Sequence, residues 1–252
     1  MEYQTLLFQE TDHIGRLTLN RPEAINAINR TMIDELEDFF HRIEKIPSCR
    51  VLIMSGAGEK GFCSGLDMKQ AMAEMLAASP EEIYQMQYQL SQVIYRMRKI
   101  PQPIIAAVHG AATGGGFSFA MAADVRIITP NTRFSAAYIN IGLGGADLLS
   151  SYFLPRLIGA GRANEYLLTG DFMDAATAMS LGFASRMVEP ETLLNMAGEL
   201  AGRMVSKNPM GLRMTKEAIN QNLALPSLEQ ALHLENRNQA FLIAALKLSS
   251  RP

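Results

Sequence analysis

Two glycine-rich stretches hold the residues best suited to chemistry in this chain: SGAGEKGFCSGLDMK (residues 55–69) and GAATGGGFSFAMAADVRI (residues 110–127). Gly114, Gly115 and Gly116 stand in a row at the mouth of an apolar run, so something must approach the backbone with no side chain between. A phosphate is the first candidate. No Lys-Ser or Lys-Thr follows the glycines as a P-loop requires, and no G-x-G-x-x-G opens the first βα unit with an acid about 20 residues on; both absences argue against a nucleotide. The second candidate is a carbonyl oxygen. Backbone N–H groups at a helix N-terminus, helped by the helix dipole, stabilise charge that develops on it. The third is plain packing, a tight turn that lets a helix lie close to a strand. The other loop, with Gly61, Gly65 and Asp67, also leaves a strand and enters a helix, so the two loops can aim one N–H apiece at the same oxygen.

The elements that must position these loops are legible from periodicity. TLLFQE and IGRLTLN alternate and read as paired strands turning at Asp12 and His13. Met32, Leu36, Phe39, Phe40 and Ile43 repeat at helical spacing, which predicts an amphipathic helix over residues 31–46. VLIMSG, IIAAVHG and VRIIT are short apolar strands separated by segments too long for hairpins, and that alternation predicts an α/β body. Residues 79–99 read as helix, as do most residues after 162, with breaks at Gly170, Gly182, Pro190 and Pro209.

Composition limits the function classes. A chain of 252 residues buries a full core without staples, and a formal net charge of −2 with both signs interspersed offers no basic stripe for a nucleic-acid backbone. Cys49 and Cys63 lack metal-ligand spacing and are too few for a disulfide-dense secreted fold, so both read as reduced thiols. The start, MEYQTLLFQETDH, has no basic region followed by an apolar core, and no stretch approaches the ~20 apolar residues of a membrane span. The expectation is a soluble, cytoplasmic protein with neither nucleic-acid nor membrane partners.

Taken in order, SGAGEKGFCSGLDMK, IPQPIIAAVHGAATGGGFSFAMAADVRI, IGLGGADLLSSYFLPRLIG and LLTGDFMDAATAMSLGFASRMVE resemble the crotonase (enoyl-CoA hydratase/isomerase) superfamily over roughly residues 5–220. The resemblance implies an α/β fold, a crotonase-like spiral of ββα repeats with a helical C-terminal part: residues 1–195 as the spiral core and 196–252 as a helical trimerisation region. It implies an acyl-CoA thioester as substrate, assembly as a homotrimer or hexamer, and no cofactor, coenzyme A being part of the substrate. By motif match the oxyanion N–H groups belong to Leu66 and Gly115. Ala24, Ile25, Cys63, Ser64, Asp67, Met68 and Gly114 fall at positions that approach the substrate and its coenzyme A, Arg21 is a candidate to replace the phosphate contact that some members make where this chain has Glu23, and Met72, Met75, Leu76 and Tyr84 fall at the wall of the acyl pocket.

The departures from the family pattern define the expected reaction. Where enoyl-CoA hydratases carry two glutamates that activate water, this chain has Ser118 and Tyr138, and neither is a carboxylate. Asp147 lies where dienoyl-CoA isomerases carry a proton-moving aspartate and 4-chlorobenzoyl-CoA dehalogenase a nucleophilic one, with one residue more between Gly142 and the acid. The resemblance thus implies an enoyl-CoA isomerase or hydratase-like enzyme with Asp147 as base and Tyr138 and Ser118 shaping the pocket. The alternatives are a hydrolase, dehalogenase or lyase using Asp147, and a non-catalytic acyl-CoA-binding protein. A purely structural reading of Asp147 makes it the N-cap of the helix beginning LLSSYFL.

Overall fold

The computed structural model describes residues 2–224 and 227–249. The expected region 196–252 therefore includes residues 225, 226 and 250–252, which lie outside the described residues, as does the side chain of Met75. In chain order the strands are β1 (Leu6–Thr11), β2 (Ile14–Leu19), β3 (Val51–Gly56), β4 (Gly61–Cys63), β5 (Ile104–Val108), β6 (Ala111–Thr113), β7 (Val125–Ile128), β8 (Arg133–Ser135), β9 (Met173–Asp174) and β10 (Arg186–Met187). The helices are α1 (Arg30–Ile43), α2 (Met68–Ala77), α3 (Pro80–Lys99), α4 (Gly115–Ala122), α5 (Ser150–Ile158), α6 (Ala160–Thr169), α7 (Ala175–Ser180), α8 (Leu193–Val205), α9 (Pro209–Ala224) and α10 (Leu228–Ser249).

The strands form a six-stranded sheet in the order β1-β2-β3-β5-β7-β10 and a smaller one in the order β4-β6-β8-β9. After the β1–β2 hairpin, successive ββα units give their first strand to the large sheet and their second to the small one: β3 and β4, β5 and β6, β7 and β8. This is the expected spiral. The hairpin turns where Asp12 and His13 both take positive φ, 52° and 67°.

Register explains the unbroken apolar strands. Leu52 pairs with Ile104 and Ile53 with Ile105; since neighbouring side chains point to opposite faces, Leu52, Met54, Ile104 and Ala106 enter the main core, and Val51, Ile53, Ile105, Ala107 and Ile127 enter a second core under α8. Both faces are covered, and a parallel sheet so covered reads as continuous rather than alternating hydrophobicity. The boundary expected at residue 195 falls inside α8, whose Leu193, Ala197 and Ala201 are buried against the sheet.

Helix ends follow local chemistry. The Asn29 side chain accepts from the Met32 N–H and caps α1, which ends at Ile43 rather than at the expected 46 because the chain tightens into a turn before Pro47, a residue whose ring disfavours helix at its predecessor. Ser79 and Glu82 form a reciprocal capping box at the start of α3. The C-terminal helices are moored by a buried cation. Lys216 of α9 donates to the carbonyls of Met97 (3.1 Å) and Gln102 (2.7 Å) and pairs with Asp124 at 2.9 Å, and Asp124 in turn holds Arg98 at 3.0 Å. Lys216→Met leaves two carbonyls and part of a carboxylate without their donor and is expected to destabilise the fold by about 3 kcal/mol, readable as a lower urea midpoint at unchanged m-value.

Candidate active site

The two glycine loops meet because their strands are parallel neighbours. β4 pairs with β6 and β6 with β8, all parallel, so their C-terminal ends share one edge of the small sheet. Leu66 lies just past β4, Gly115 just past β6 and Tyr138 just past β8. Three stretches distant in sequence thereby become adjacent. A Cβ on Gly65 would stand 2.8 Å from the Thr113 oxygen and 3.3 Å from the Gly115 nitrogen, so the loops are in direct backbone contact.

Each glycine of the triplet has its own reason. Gly114 takes φ +53°, a conformation that glycine adopts without steric penalty. Gly116 packs on Cys63, whose carbonyl oxygen would lie 2.2 Å from an added Cβ. Gly115 is the first residue of α4, where helical N–H groups have no partner within the helix. Its N–H makes no hydrogen bond among the described residues. The Leu66 N–H is likewise free. Leu66 bridges Ile28, but the bonds run from the Ile28 N–H to the Gly65 carbonyl (2.7 Å) and from the Asp67 N–H to the Ile28 carbonyl (2.8 Å), which leaves Leu66's own N–H turned to the other side. Two unpartnered donors in touching loops, one at a helix N-terminus, can hold an anionic oxygen.

The expected substrate-binding residues lace this loop to the segment before α1. Ser64 donates from its N–H to the Ile25 carbonyl (3.0 Å) and from its hydroxyl to the Ala24 carbonyl (3.2 Å), and the Thr113 hydroxyl donates to the Ser64 carbonyl (2.9 Å). Arg21 does not project toward solvent as a free phosphate ligand: its guanidinium donates to the Ala27 carbonyl and pairs with Asp67 at 2.9 Å, both side chains being largely buried. Cys63 is a floor residue, and burial pushes its thiol up to about 12. Met68 is half-buried at the first position of α2. Asn26, which sequence reasoning passed over, is fully buried at φ +53° and bonds the Ala57 and Gly61 carbonyls, joining the same two segments. Met72, Leu76 and Tyr84 are exposed on α2 and α3.

Asp147 sits on the elbow before α5. Gly145 is wedged against the Leu167 carbonyl, and the buried Ser150 hydroxyl accepts from the Asp147 N–H and donates to the Gly145 carbonyl. Leu148 and Leu149 both take positive φ, 45° and 64°, conformations costly for a branched residue. This corrects the capping reading. The N-cap of α5 is Leu149, with no side-chain cap, and the Asp147 carboxylate instead accepts from the N–H of Leu148 at 2.7 Å and from the Gln87 amide of α3. Burial raises the Asp147 pKa above the ordinary carboxylate value, and these two donors hold it down in part. Leu148 packs over Gly115, its Cδ1 lying 3.6 Å from an added Cβ there. The residue after Asp147 thus touches the loop that carries the free Gly115 N–H.

Ser118 and Tyr138 meet beneath them. Their hydroxyls lie 2.6 Å apart, both buried, and the Tyr138 hydroxyl donates to the Gly114 carbonyl at 2.8 Å. His109, just upstream, bonds the Gly58 carbonyl at 2.8 Å, a link between two loops 51 residues apart rather than a bond within a turn.

The enoyl-CoA hydratase/isomerase family profile matches residues 9–249. The chain belongs to the enoyl-CoA hydratase/isomerase family. A Mycobacterium bovis member described as a probable enoyl-CoA hydratase is 38% identical over 233 residues, covering 91% of this chain and 81% of its own. Among solved structures, an enoyl-CoA hydratase from Bacillus anthracis superposes with a TM-score of 0.90 at 29% identity, covering 96% of this chain and 92% of that one. A protein from M. smegmatis described as a monofunctional enoyl CoA isomerase is similar at TM-score 0.76 and 36% identity, over 90% of this chain and 98% of that one. Membership in this enzyme family agrees with the site's two glycine loops, which the family profile spans. Among the described residues no helix is long and apolar enough to cross a membrane.

Proposed function

We propose that this chain moves a double bond in an acyl-CoA thioester, with the Leu66 and Gly115 N–H groups binding the thioester oxygen and Asp147 shuttling the proton. The observation that carries this reading is one partly buried carboxylate, its pKa raised by that burial, on an elbow whose next residue, Leu148, packs over Gly115, in a site with two unpartnered backbone donors. Donors aimed at the oxygen stabilise the enolate as charge develops, about 3 kcal/mol each. With the oxygen held, a 3-enoyl thioester gives its C2 proton to the Asp147 carboxylate. The C2–H electron pair forms the C1–C2 double bond and the carbonyl π pair moves to the thioester oxygen, giving a dienolate; on reprotonation the carbonyl re-forms, the C1–C2 pair becomes the C2–C3 double bond and the C3–C4 π pair takes the proton at C4. The same carboxyl then returns the proton to C4, giving the 2-enoyl product with no other reactant consumed. One base suffices for this cycle, whereas hydration by paired acids needs a second carboxylate, and Ser118 and Tyr138 do not supply one. The reading is further supported by a structural relative described as an isomerase.

The test is mass spectrometry of saturated, 2-enoyl, 3-enoyl, dienoyl and aryl CoA thioesters incubated with the protein in heavy water. Double-bond movement with deuterium at C2 or C4 supports the proposal. Water addition without double-bond movement replaces it with hydration, and a trapped acyl or aryl adduct on Asp147 replaces it with nucleophilic chemistry.

The reading extends to assembly. Residues 196–252 are proposed as the trimerisation region, because α9 and α10 leave Ile219, Leu223, Leu232, Phe241 and Ile243 exposed, more apolar side chain than a lone surface favours. Light scattering is expected to give three or six times the chain mass; a monomer at micromolar concentration overturns this assignment.

A further inference from the structure

The Ser118–Tyr138 pair ends on a peptide bond, that between Gly114 and Gly115. Gly114 C=O and Gly115 N–H are the two ends of one planar unit, and among the described residues there is no cis peptide, so the carbonyl and the N–H point in opposite directions. Whatever grips the Gly114 oxygen therefore sets the direction of the Gly115 N–H. The Gly114 oxygen already accepts the Ser118 N–H at 3.0 Å, the ordinary first bond of α4. The Tyr138 hydroxyl adds a second donor at 2.8 Å, outside any helical pattern, and its ring lies against Gly114, 3.5 Å from where a Cβ would stand. A tyrosine hydroxyl has one hydrogen. Since it goes to Gly114, the 2.6 Å contact must carry the Ser118 hydrogen to the Tyr138 oxygen.

We propose that Ser118 and Tyr138 are positioning residues, a chain running Ser118 O–H to Tyr138 O–H to Gly114 C=O that orients and polarises the Gly115 N–H for the thioester oxygen. Successive hydrogen bonds in a buried chain strengthen one another, by roughly 10–30% per bond. Both hydroxyls are within the core, Ser118 fully and Tyr138 at 7% exposure, where water does not compete. Burial also raises the Tyr138 pKa, so the phenol remains an O–H donor through the neutral range. The two positions at which hydratases hold their glutamates are here turned to aiming a backbone donor.

This inference rests on the Gly115 N–H being an oxyanion donor, and the experiment separates the two. The probe is butyryl-CoA labelled with ¹³C at the thioester carbon, which has no double bond to move or hydrate, read by isotope-edited infrared difference spectroscopy of the bound carbonyl. Wild-type protein is expected to shift the carbonyl band down, and Gly115→Pro to lose a large part of that shift. Tyr138→Phe keeps the ring and leaves Gly114 its Ser118 N–H partner; it is expected to lose about a tenth to a third of the shift. Its kcat is expected to fall ~10-fold, short of the ~10²–10³ for removing a donor outright, with KM moving less than about twofold, as when only transition-state binding is lost. Ser118→Ala is expected to move the band the same way by less, and carries the test alone if Tyr138→Phe does not fold. A Tyr138→Phe band and kcat equal to wild type, while Gly115→Pro loses the shift, overturn the positioning chain and leave the oxyanion reading standing. No shift in wild type, or a full shift in Gly115→Pro, overturns both.

Discussion

Gly115→Pro is expected to lower kcat by about 10²–10³-fold in a protein that still folds. Gly115 is the first residue of α4, the one helical position where proline's fixed φ and missing N–H are tolerated. The substitution therefore deletes the free donor and little else. Its added Cβ meets Ile28 Cδ1 at 2.6 Å, the far end of a flexible side chain. Gly115→Ala makes the same Cβ demand while keeping the N–H, so the ratio of the two variants reports replacement of the donor by the proline ring, free of the Ile28 contact. Alanine is expected to retain most of the activity in steady-state assays with the thioester that wild type converts. Equal losses in both would place the effect on Ile28 packing and remove Gly115 from the oxyanion site.

Asp147→Asn is expected to lower kcat/KM by about 10²–10⁴-fold, the usual worth of a positioned general base. The amide oxygen can still accept the Leu148 N–H, so the elbow is expected to survive. The sign of the pH dependence follows from the pKa direction. A base works only when deprotonated, so activity rises with pH through the Asp147 pKa, and burial places that limb above the ordinary carboxylate range. Gln87 donates to the charged form and lowers the pKa. Gln87→Leu is therefore expected to move the acid limb to higher pH while leaving the plateau near wild type. An unchanged limb in Gln87→Leu, or full activity in Asp147→Asn, assigns the proton transfer to another group.

Much of this was readable before any coordinates. The hairpin at Asp12 and His13, the helix under Leu36 and Phe40, the three buried strands and the helix over residues 79–99 all follow from short-range rules: residue period and turn chemistry. The family resemblance rested on glycines for the same reason, since a backbone that must turn or be approached closely leaves its mark in residue type. Gly65, Gly114 and Gly116 are such marks.

Only tertiary structure decided the rest. The four-stranded sheet was invisible because strands of two and three residues carry no period, yet that sheet brings Leu66, Gly115 and Tyr138 to one edge. Which N–H groups are free depends on what pairs with their neighbours, here Ile28 with Leu66 across a gap of 38 residues. Arg21 is a candidate phosphate ligand by residue type, and only the fold shows that it pairs with Asp67. The positive φ of Leu148 and Leu149 runs against local preference and persists because Ser150, Gly145 and α6 hold the elbow around them. Ser118 and Tyr138 are 20 residues apart and individually unremarkable. Sequence determines which groups exist and what each can donate or accept; the meeting of two hydroxyls on the back of one peptide bond is a property of packing, because it depends on where two neighbouring strands, β6 and β8, end.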